Sequence, residues 1–267
     1  MRISLKLSTG VNTKLTANYN YPLSAAIYNL LRLGSQEFST FLHDCGYKLN
    51  SKTYKLFCFA LQLGEYSYEK DTINLLSPQH KLIICSPVID EFINNFVIGT
   101  FEQQKIEIVG NHVKTVFNIE LVESIPEIKI EKISKLKLLS PIVISTKRLY
   151  KNKLAPYYYR YTDDICEISR IINKNLINKY ELITGISGIN KEISFSWDEE
   201  YIKRADKLHK RLTRKQTIKA GDSSQTDIIG NLLPFNISGD KDLINTGLDA
   251  GFGEKNSLGF GLAQEYN

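Results

Sequence analysis

The order of hydrophobic patterns along the first half of the chain limits the fold more than any other feature of the sequence. Residues 2–8 alternate apolar and polar side chains with the period of two that indicates a strand with one buried face. From Pro22 the apolar residues recur at helical spacing, and Gly34-Ser35 interrupts the pattern before a second helix that runs to about Asp44. The later segments are a strand, a strand, a helix and two strands, at residues 55–63, 81–85, 90–101, 106–109 and 113–122. This order, β-α-β-β-α-β, is that of a ferredoxin-like domain.

The second half of the chain begins a second series of the same kind. Its segments are predicted as strand, helix, strand, strand and short helix, at residues 138–145, 163–182, 191–197, 211–219 and 240–246. We therefore predict an α+β protein of two tandem ferredoxin-like (RRM-like) βαββαβ domains, residues 1–139 and 140–267. The second of these domains ends in a Gly-rich loop.

The composition is that of a globular protein, with 42% hydrophobic and 24% charged residues. The four cysteines are scattered, without a CxxC pair or a histidine at metal-ligand spacing, so we predict reduced thiols and neither a metal nor another cofactor. The first residues lack the apolar core of a signal peptide, and no run reaches the ~18 apolar residues of a membrane span. We therefore expect a cytoplasmic protein.

Basic residues are concentrated in one short part of the second half. Residues 203–219 contain eight lysine and arginine residues and one acidic residue, Asp206, for a net charge of +7. Because the whole chain carries +5, the remainder sums to −2. A local positive stripe of this kind suits a polyphosphate backbone, whose binding releases condensed counterions. The alternative is a charged face that contacts solvent alone.

The segment Gly251–Gly261, which we call the Gly-rich loop, reads GFGEKNSLGFG. Glycines permit close backbone approach and positive φ, so their amide groups can surround an anion, and Lys255 adds charge in the middle. A Walker A loop is excluded because it needs Gly-Lys-Ser/Thr, which is absent. A dinucleotide-binding fingerprint needs a surrounding βαβ unit that the last residues before Asn267 do not supply. The alternative is a Gly-rich turn that joins a helix to a final strand.

The eleven residues of this loop form the pattern GhGxxxxxGhG, where h is apolar and one of the five central residues is basic. At the end of two ferredoxin-like domains, this pattern resembles the signature of the Cas6 family, the CRISPR-associated endoribonucleases of the RAMP superfamily that cut repeat RNA. Two further blocks carry the resemblance. Leu139–Val143 is similar to the segment that opens the family's second domain, and the block from Tyr28 through His43 to Phe59 is similar to its catalytic region.

The resemblance implies RNA cleavage without a metal ion. In the reaction of that family a 2′-hydroxyl attacks the adjacent phosphate, giving a 2′,3′-cyclic phosphate and a 5′-hydroxyl. Such a step needs a base, an acid and positive charge near the phosphorane. By match to the catalytic region, His43 is expected to carry the proton, with Tyr28 as its partner and Lys55 as the cation. Lys52 and Lys48 are alternatives for the cation, because His43 and Lys55 are further apart than the family pattern leads us to expect.

The separation of Tyr28 and His43 sets a geometric condition on this expectation. On one continuous helix, fifteen residues at about 1.5 Å each would hold the two side chains ~22 Å apart. The break at Gly34-Ser35 allows the chain to turn and bring them together. Each residue also has a purely structural alternative, because His43 can stabilise the carboxyl end of a helix and Tyr28 can belong to the core.

A second set of residues is expected to bind the RNA through phosphate or base contacts. The set combines the basic stripe with the Gly-rich loop: Arg204, Lys207, Lys210, Arg211, Arg214, Lys215, Gly251, Gly253, Lys255, Gly259 and Gly261. Unpaired bases in RNA are usually recognised by stacking on aromatic side chains. The run Tyr157–Tyr159 can serve this role, although a strand that alternates core and surface tyrosines explains it equally well.

These expectations combine into a predicted function, an endoribonuclease that cleaves CRISPR repeat RNA to mature guide RNAs. Its partners would be the repeat RNA and a CRISPR effector complex, with no membrane, and the protein would be a monomer or homodimer. The alternative is a non-cleaving RNA-binding module on the same scaffold, since tandem ferredoxin-like domains carry many functions. A more remote alternative is an enzyme that binds a mononucleotide through the Gly-rich loop.

Overall fold

A computed structural model describes residues 1–110, 112–150, 153–219 and 223–266. Within these ranges the strands are β1 (Arg2–Ser8), β2 (Thr13–Thr16), β3 (Tyr47–Leu49), β4 (Lys52–Tyr54), β5 (Cys58–Gln62), β6 (Tyr66–Glu69), β7 (Thr72–Leu75), β8 (Gln79–Cys85), β9 (Lys105–Gly110), β10 (Val113–Ser124), β11 (Ile133–Leu138), β12 (Ser145–Tyr150), β13 (Lys153–Tyr158), β14 (Ile193–Trp197), β15 (Thr213–Ile218), β16 (Thr226–Asn231), β17 (Phe235–Gly239) and β18 (Ala263–Glu265). The α-helices are α1 (Asn20–Gly34), α2 (Gln36–Thr40), α3 (Asn95–Gln103), α4 (Ile165–Thr184), α5 (Glu199–Lys207) and α6 (Lys241–Ala250). Two π-helical turns cover Phe41–Cys45 and Ile89–Asn94, and a 3₁₀ turn covers Asn256–Leu258. None of the helices in the described ranges is long and apolar enough to cross a membrane.

The first half of the chain forms a five-stranded antiparallel sheet in the order β5-β8-β1-β10-β9. The alternation of apolar residues in β1 buries Ile3, Leu5 and Leu7 in one core. Leu23 and Ile27 of α1 belong to the same core, because their helical spacing places them on one face. With β9 as an added edge strand, the other four strands and the helices α1 and α3 follow the predicted β-α-β-β-α-β order.

The second half forms a four-stranded antiparallel sheet in the order β14-β17-β11-β18. Along the chain, α4 follows β11 and α6 follows β17, which gives the same β-α-β-β-α-β series with insertions. Helix α4 contributes Ile168, Ile172 and Leu176 to a core that also contains Phe235 of β17. The predicted fold class, α+β with two tandem ferredoxin-like domains, is confirmed.

The segment around the predicted domain boundary differs from the expectation. The strand predicted over residues 138–145 is wrong, because β11 ends at Leu138 and the following residues make only isolated bridges, Ile142 with Asn231 and Val143 with Glu254. Its apolar residues are buried in a connection between elements rather than in a sheet strand. Since β11 already pairs with β17 and β18, we propose that the second domain begins ahead of Ile133 rather than at Ser140.

The two domains share a buried junction. The guanidinium of Arg2, on β1, donates to the carbonyl oxygen of Leu248 at 3.2 Å and to that of Ala263 at 2.7 Å. Cys58 of β5 and Leu262 near the chain end belong to one small apolar cluster at this junction. These contacts fix the end of the Gly-rich loop against the first sheet.

The predicted break after the first helix is confirmed at Gly34-Ser35. The hydroxyl of Ser35 accepts a hydrogen bond from the Phe38 amide at 3.2 Å and so caps α2. Gly34 packs directly on the backbone of Asn95, which leaves no room for a Cβ. The last turn of the second helix is π-helical rather than α-helical, and it ends at Gly46, whose φ is 62°.

The basic stripe consists of a helix, a turn and a strand. The sequence predicted the strand, observed as β15, but not α5, which begins where Asp198 accepts a hydrogen bond from the Tyr201 amide at 3.0 Å. β15 pairs with β16 in a separate hairpin. This hairpin reaches the first domain, because Gln216 donates to the side chain of Asn20 at 3.0 Å.

Candidate active site and nucleic-acid interface

A cavity of about 670 Å³ lies where the two domains meet. Its walls come from α1, the first π-helical turn, β4, α4 and the Gly-rich loop. The polar and aromatic side chains that line it include Tyr28, His43, Lys52, Lys55, Asn175, Lys179, Glu254, Lys255 and Asn256. The structure therefore places the predicted catalytic residues and the Gly-rich loop around one space, which we call the first cavity.

Tyr28 and His43 are in contact in this cavity. Their ring centroids lie 5.3 Å apart, with the ring planes at 87°. The break at Gly34-Ser35 makes this possible, and the hydroxyl of Ser39 donates to the Tyr28 carbonyl oxygen at 3.0 Å, which ties α2 back to α1. Burial raises the pKa of Tyr28, so its hydroxyl remains protonated at neutral pH and can donate a hydrogen bond.

The imidazole of His43 is accessible to a substrate, with 69% of the side chain exposed. Its Nδ1 lies 2.7 Å from Oδ1 of Asp44. The carboxylate favours the tautomer with the proton on Nδ1, which leaves Nε2 as the basic nitrogen. No group of three or more His, Cys, Asp or Glu side chains in the described part of the chain is arranged to hold a metal ion.

Lys55 holds the turn that carries His43. Its ammonium donates to the carbonyl oxygens of Leu42 and His43, the latter at 2.7 Å, and these are end-of-helix carbonyls that need a partner. Gly46 makes room for it, because a Cβ there would lie 3.0 Å from Lys55 Nζ. Burial lowers the pKa of Lys55, although the charge of Asp44 opposes this effect. Lys55 thus places a cation on the backbone of the turn that carries the imidazole.

The two alternative lysines occupy different positions. Lys52 lines the first cavity, and its ammonium lies 2.7 Å from Oε1 of Glu254 in the Gly-rich loop. Burial lowers its pKa, but the hydrogen bond and charge of Glu254 outweigh burial and the pKa is raised overall. Lys48 is exposed on β3, outside the described lining of the cavity.

The Gly-rich loop joins α6 to β18, as the structural alternative predicted, and it also lines the first cavity. Its four glycines have positive φ, and at two of them a backbone oxygen also occupies the space that a Cβ would need. A Cβ on Gly253 would overlap the carbonyl oxygen of Val143, and one on Gly261 would overlap that of Phe252. Since Phe252 and Phe260 are fully buried, the loop is anchored on both sides.

We expect Gly261→Ala to destabilise the protein by about 3 kcal/mol, because it combines a positive φ of 76° with overlap on a backbone oxygen. Gly185→Ala is the matched control, since Gly185 has a φ of 73° but no atom within 4 Å of the added Cβ. The control should cost only about 1 kcal/mol. Chemical denaturation measures both, and equal losses would show that the close packing at Gly261 contributes nothing.

The Gly-rich loop is bound to the helix that carries Tyr28. Asn20 donates to the carbonyl oxygens of Leu258 at 3.1 Å and Gly259 at 3.0 Å. Ser24 donates to the carbonyl oxygen of Ser257 at 2.6 Å. The start of α1 and the loop therefore form one wall of the first cavity.

A second cavity, of about 740 Å³, lies beside the β15–β16 hairpin. Its lining includes Arg211, Arg214 and Lys215 from the basic stripe, and Tyr66 and Tyr68 from β6. The two tyrosines are 45% and 68% exposed, and their ring centroids lie 5.5 Å apart. Cations beside exposed rings suit unpaired nucleotides, which bind through their phosphates and stacked bases.

The expected RNA-binding residues are thus divided among three places. Lys255 and Gly253 line the first cavity, and Gly259, Arg211, Arg214 and Lys215 line the second, whereas Gly251 and Gly261 are in neither lining. Arg204 and Lys207 are exposed on α5, and Lys210 lines a smaller cavity of about 550 Å³ near the chain end. Only the first two groups adjoin the spaces described above. The RNA-binding roles of all these residues stay predictions.

The tyrosine run is half-buried or buried rather than exposed, without the alternation of core and surface positions. Tyr159 is buried, whereas Tyr157 is partly exposed and donates to the Asp163 carboxylate at 3.1 Å. The guanidinium of Arg148 lies 3.5 Å from the centroid of the Tyr157 ring. This stacking covers one face of the Tyr157 ring.

Sequence reasoning missed two residues on α4 that line the first cavity, Lys179 and Asn175. The signal was present, because both fall on the buried stripe of the helix at helical spacing from Ile168 and Ile172. Lys179 contacts the Gly-rich loop. The amide oxygen of Asn175 is buried and has no hydrogen-bond partner among the described residues, so it can accept one from an incoming group.

Both halves of the chain match known protein families. The family described as "CRISPR associated protein Cas6, C-terminal" matches residues 123–264, and "CRISPR-associated protein Cas6, N-terminal" matches residues 14–119. A relative from Methanocaldococcus jannaschii, CRISPR-associated endoribonuclease Cas6 1, is 31% identical over 263 residues, with 98% of this chain and 91% of the relative covered. A relative from Pyrococcus furiosus, CRISPR-associated endoribonuclease Cas6, is 25% identical over 252 residues, with 94% and 83% covered. A solved structure of a CRISPR associated protein Cas6 has a TM-score of 0.74 at 28% identity, with 100% of this chain and 99% of that chain covered. Because Cas6 family models match both halves of the chain and a 31% identical relative matches nearly all of it, this chain belongs to the Cas6 family.

Proposed function

We propose that this chain is a metal-independent endoribonuclease that cleaves CRISPR repeat RNA to mature guide RNAs for a CRISPR effector complex. The observation that carries the proposal is the convergence of Tyr28, His43 and Lys55 at one accessible cavity. Two relatives named CRISPR-associated endoribonucleases support the substrate class.

In the proposed reaction, His43 moves one proton. Its Nε2 takes the proton of the 2′-hydroxyl while the 2′-oxygen forms a bond to phosphorus, and the bond from phosphorus to the 5′-oxygen breaks. The imidazolium then gives the proton to the departing 5′-oxygen. The Tyr28 hydroxyl donates a hydrogen bond to the same oxygen and so stabilises its negative charge. The products are a 2′,3′-cyclic phosphate and a 5′-hydroxyl, and the atoms and protons balance without water.

The negative charge that grows on the phosphoryl oxygens needs a cation, and we assign this role to Lys55. The hydrogen bonds of its ammonium go to neutral carbonyl oxygens rather than to a carboxylate. The charge of Lys52, in contrast, is balanced by Glu254. A preorganised positive charge stabilises the transition state more strongly than one that must first break an ion pair.

We further propose that the second cavity holds an unpaired stretch of the RNA. If Arg211 contacts a phosphate there, Arg211→Gln should weaken binding and reduce the slope of log affinity against log salt by ~0.7, the value for one contact on a single strand. Lys105→Gln is the control, since Lys105 lies on β9 at the sheet edge opposite β5. Titrations at several salt concentrations measure both. An unchanged slope in Arg211→Gln would remove Arg211 from the interface.

The test of the proposed function is cleavage of repeat RNA by the purified protein in EDTA. We expect cutting of the natural RNA and none of an RNA with a single 2′-deoxy nucleotide at the cut site, because that RNA lacks the attacking oxygen. Tight binding without cutting over hours would instead favour the non-cleaving RNA-binding module. Cutting of the deoxy RNA at the same site would contradict the proposed chemistry.

A further inference from the structure

Lys179 is a buried lysine whose partners all belong to the Gly-rich loop. Only 2% of its surface is exposed. Its Nζ donates to the carbonyl oxygens of Gly251 at 2.6 Å and Gly253 at 2.9 Å, and to Oδ1 of Asn256 at 2.8 Å. An ammonium has three N–H donors, so these contacts use all of them.

Asn256 connects the Lys179 ammonium to both Gly-Phe-Gly triplets through its side-chain amide. Because its amide oxygen faces the ammonium, its amide nitrogen points the other way and donates to the carbonyl oxygens of Phe252 at 3.1 Å and Phe260 at 3.0 Å. A Cβ on Gly251 would lie 2.9 Å from Cβ of Cys58, so a side chain at this position would disturb the packing of the loop against β5. The loop therefore presents carbonyl oxygens to a buried cation, whereas the sequence suggested amides around an anion.

We infer that Lys179 is the positioning residue of the Gly-rich loop: its ammonium holds the loop in the shape that brings Lys255 to the first cavity. The inference rests on the proposed function, in which that loop binds the RNA. Lys179 acts through the loop because its three donors are already used and none is left for a phosphate. Removing it leaves buried acceptors without a donor, which is the costly way to lose a hydrogen bond.

Because this ammonium is buried, the stability of the protein should depend on pH in a definite direction. Burial lowers the pKa of Lys179 to about 7, although the charge of Glu254 opposes the shift, and that of Lys52 adds to it. The pKa in the folded state is thus below the value of 10.5 for a free lysine. Between these two values the unfolded chain binds more protons, so the contribution of Lys179 to stability rises with pH from about 7 to about 10.5.

The experiment compares Lys179→Met with Leu176→Ala, a core substitution one turn earlier on α4 that removes none of the hydrogen bonds between Lys179 and the loop. Hydrogen exchange of residues 251–261 is measured in the free protein below pH 7, where Lys179 is protonated and has three donors. Affinity is measured with repeat RNA that is 2′-deoxy at the cut site. In Lys179→Met we expect exchange in the loop to be ~10-fold faster and affinity to fall ~10-fold, with a smaller loss in single-turnover rate at saturating RNA. Leu176→Ala should lower global stability without this local change.

The rise of stability between pH 7 and 10 should also be smaller in Lys179→Met than in the unchanged protein, because methionine has no proton to lose on folding. If Lys179→Met does not fold, Asn256→Ala removes the other half of the same network and should give the same local exchange. Loop exchange no faster than in Leu176→Ala would overturn the inference. If the unchanged protein bound no repeat RNA, the proposed function would fail, while the exchange result would still decide the role of Lys179.

Discussion

Replacing His43 with alanine is expected to slow single-turnover cleavage of repeat RNA by ~10²–10⁴-fold, the usual contribution of a positioned proton carrier. Affinity should change little, because the basic residues at the second cavity and the Gly-rich loop remain in place. The imidazole is exposed and contacts Tyr28 and Asp44, so its removal does not open the core. Rates at saturating protein, together with dissociation constants, separate the two effects.

The matched control is His112→Asn, which removes an exposed histidine from the turn between β9 and β10. Asparagine is chosen because His112 has a φ of 64°, a conformation that asparagine adopts more readily than alanine. The control should cleave like the unchanged protein. An undiminished rate in His43→Ala, or a loss confined to affinity, would contradict the assigned role.

The second large effect is expected for Lys55→Met, which should slow cleavage by ~10²–10³-fold, as for loss of one preorganised donor to the transition state. The substitution keeps the length of the side chain but removes both the charge and the hydrogen bonds to the carbonyl oxygens of Leu42 and His43. The rate should therefore fall because the cation is lost and because the turn that carries His43 loosens.

Two further lysine variants decide between the candidates for the cation. Lys48→Met should have almost no effect, because Lys48 is exposed on β3 and does not line the first cavity. Lys52→Met should have a smaller effect than Lys55→Met, because the charge of Lys52 is already balanced by Glu254. A larger loss in Lys52→Met than in Lys55→Met would transfer the role to Lys52.

The sequence was informative wherever a local pattern determines the structure. The period of two in β1, the helical spacing in α1 and the Gly34-Ser35 break each depend on neighbouring residues, and all three are present in the structure. The break also made the Tyr28 and His43 contact predictable, since a turn in the chain was the one condition that it needed.

The remaining features depend on contacts between distant residues, which leave no periodic signal. Lys179 and the loop carbonyl that it binds at Gly251 are 72 residues apart, and Lys52 and Glu254 are 202 apart. The role of the glycines could not be predicted from the sequence. A backbone without side chains can place its amides around an anion or its carbonyl oxygens around a cation. The position of α4, which brings Lys179 to the carbonyl oxygens of Gly251 and Gly253, shows that the loop binds a cation.

The most direct test of the central claim is the chemical identity of the RNA ends produced in EDTA. If the His43 imidazole drives attack by the neighbouring 2′-oxygen, mass spectrometry of the 5′ fragment should find a 2′,3′-cyclic phosphate, and the 3′ fragment should carry a 5′-hydroxyl. A 3′-hydroxyl paired with a 5′-phosphate would mean that water attacked instead, and would contradict the account.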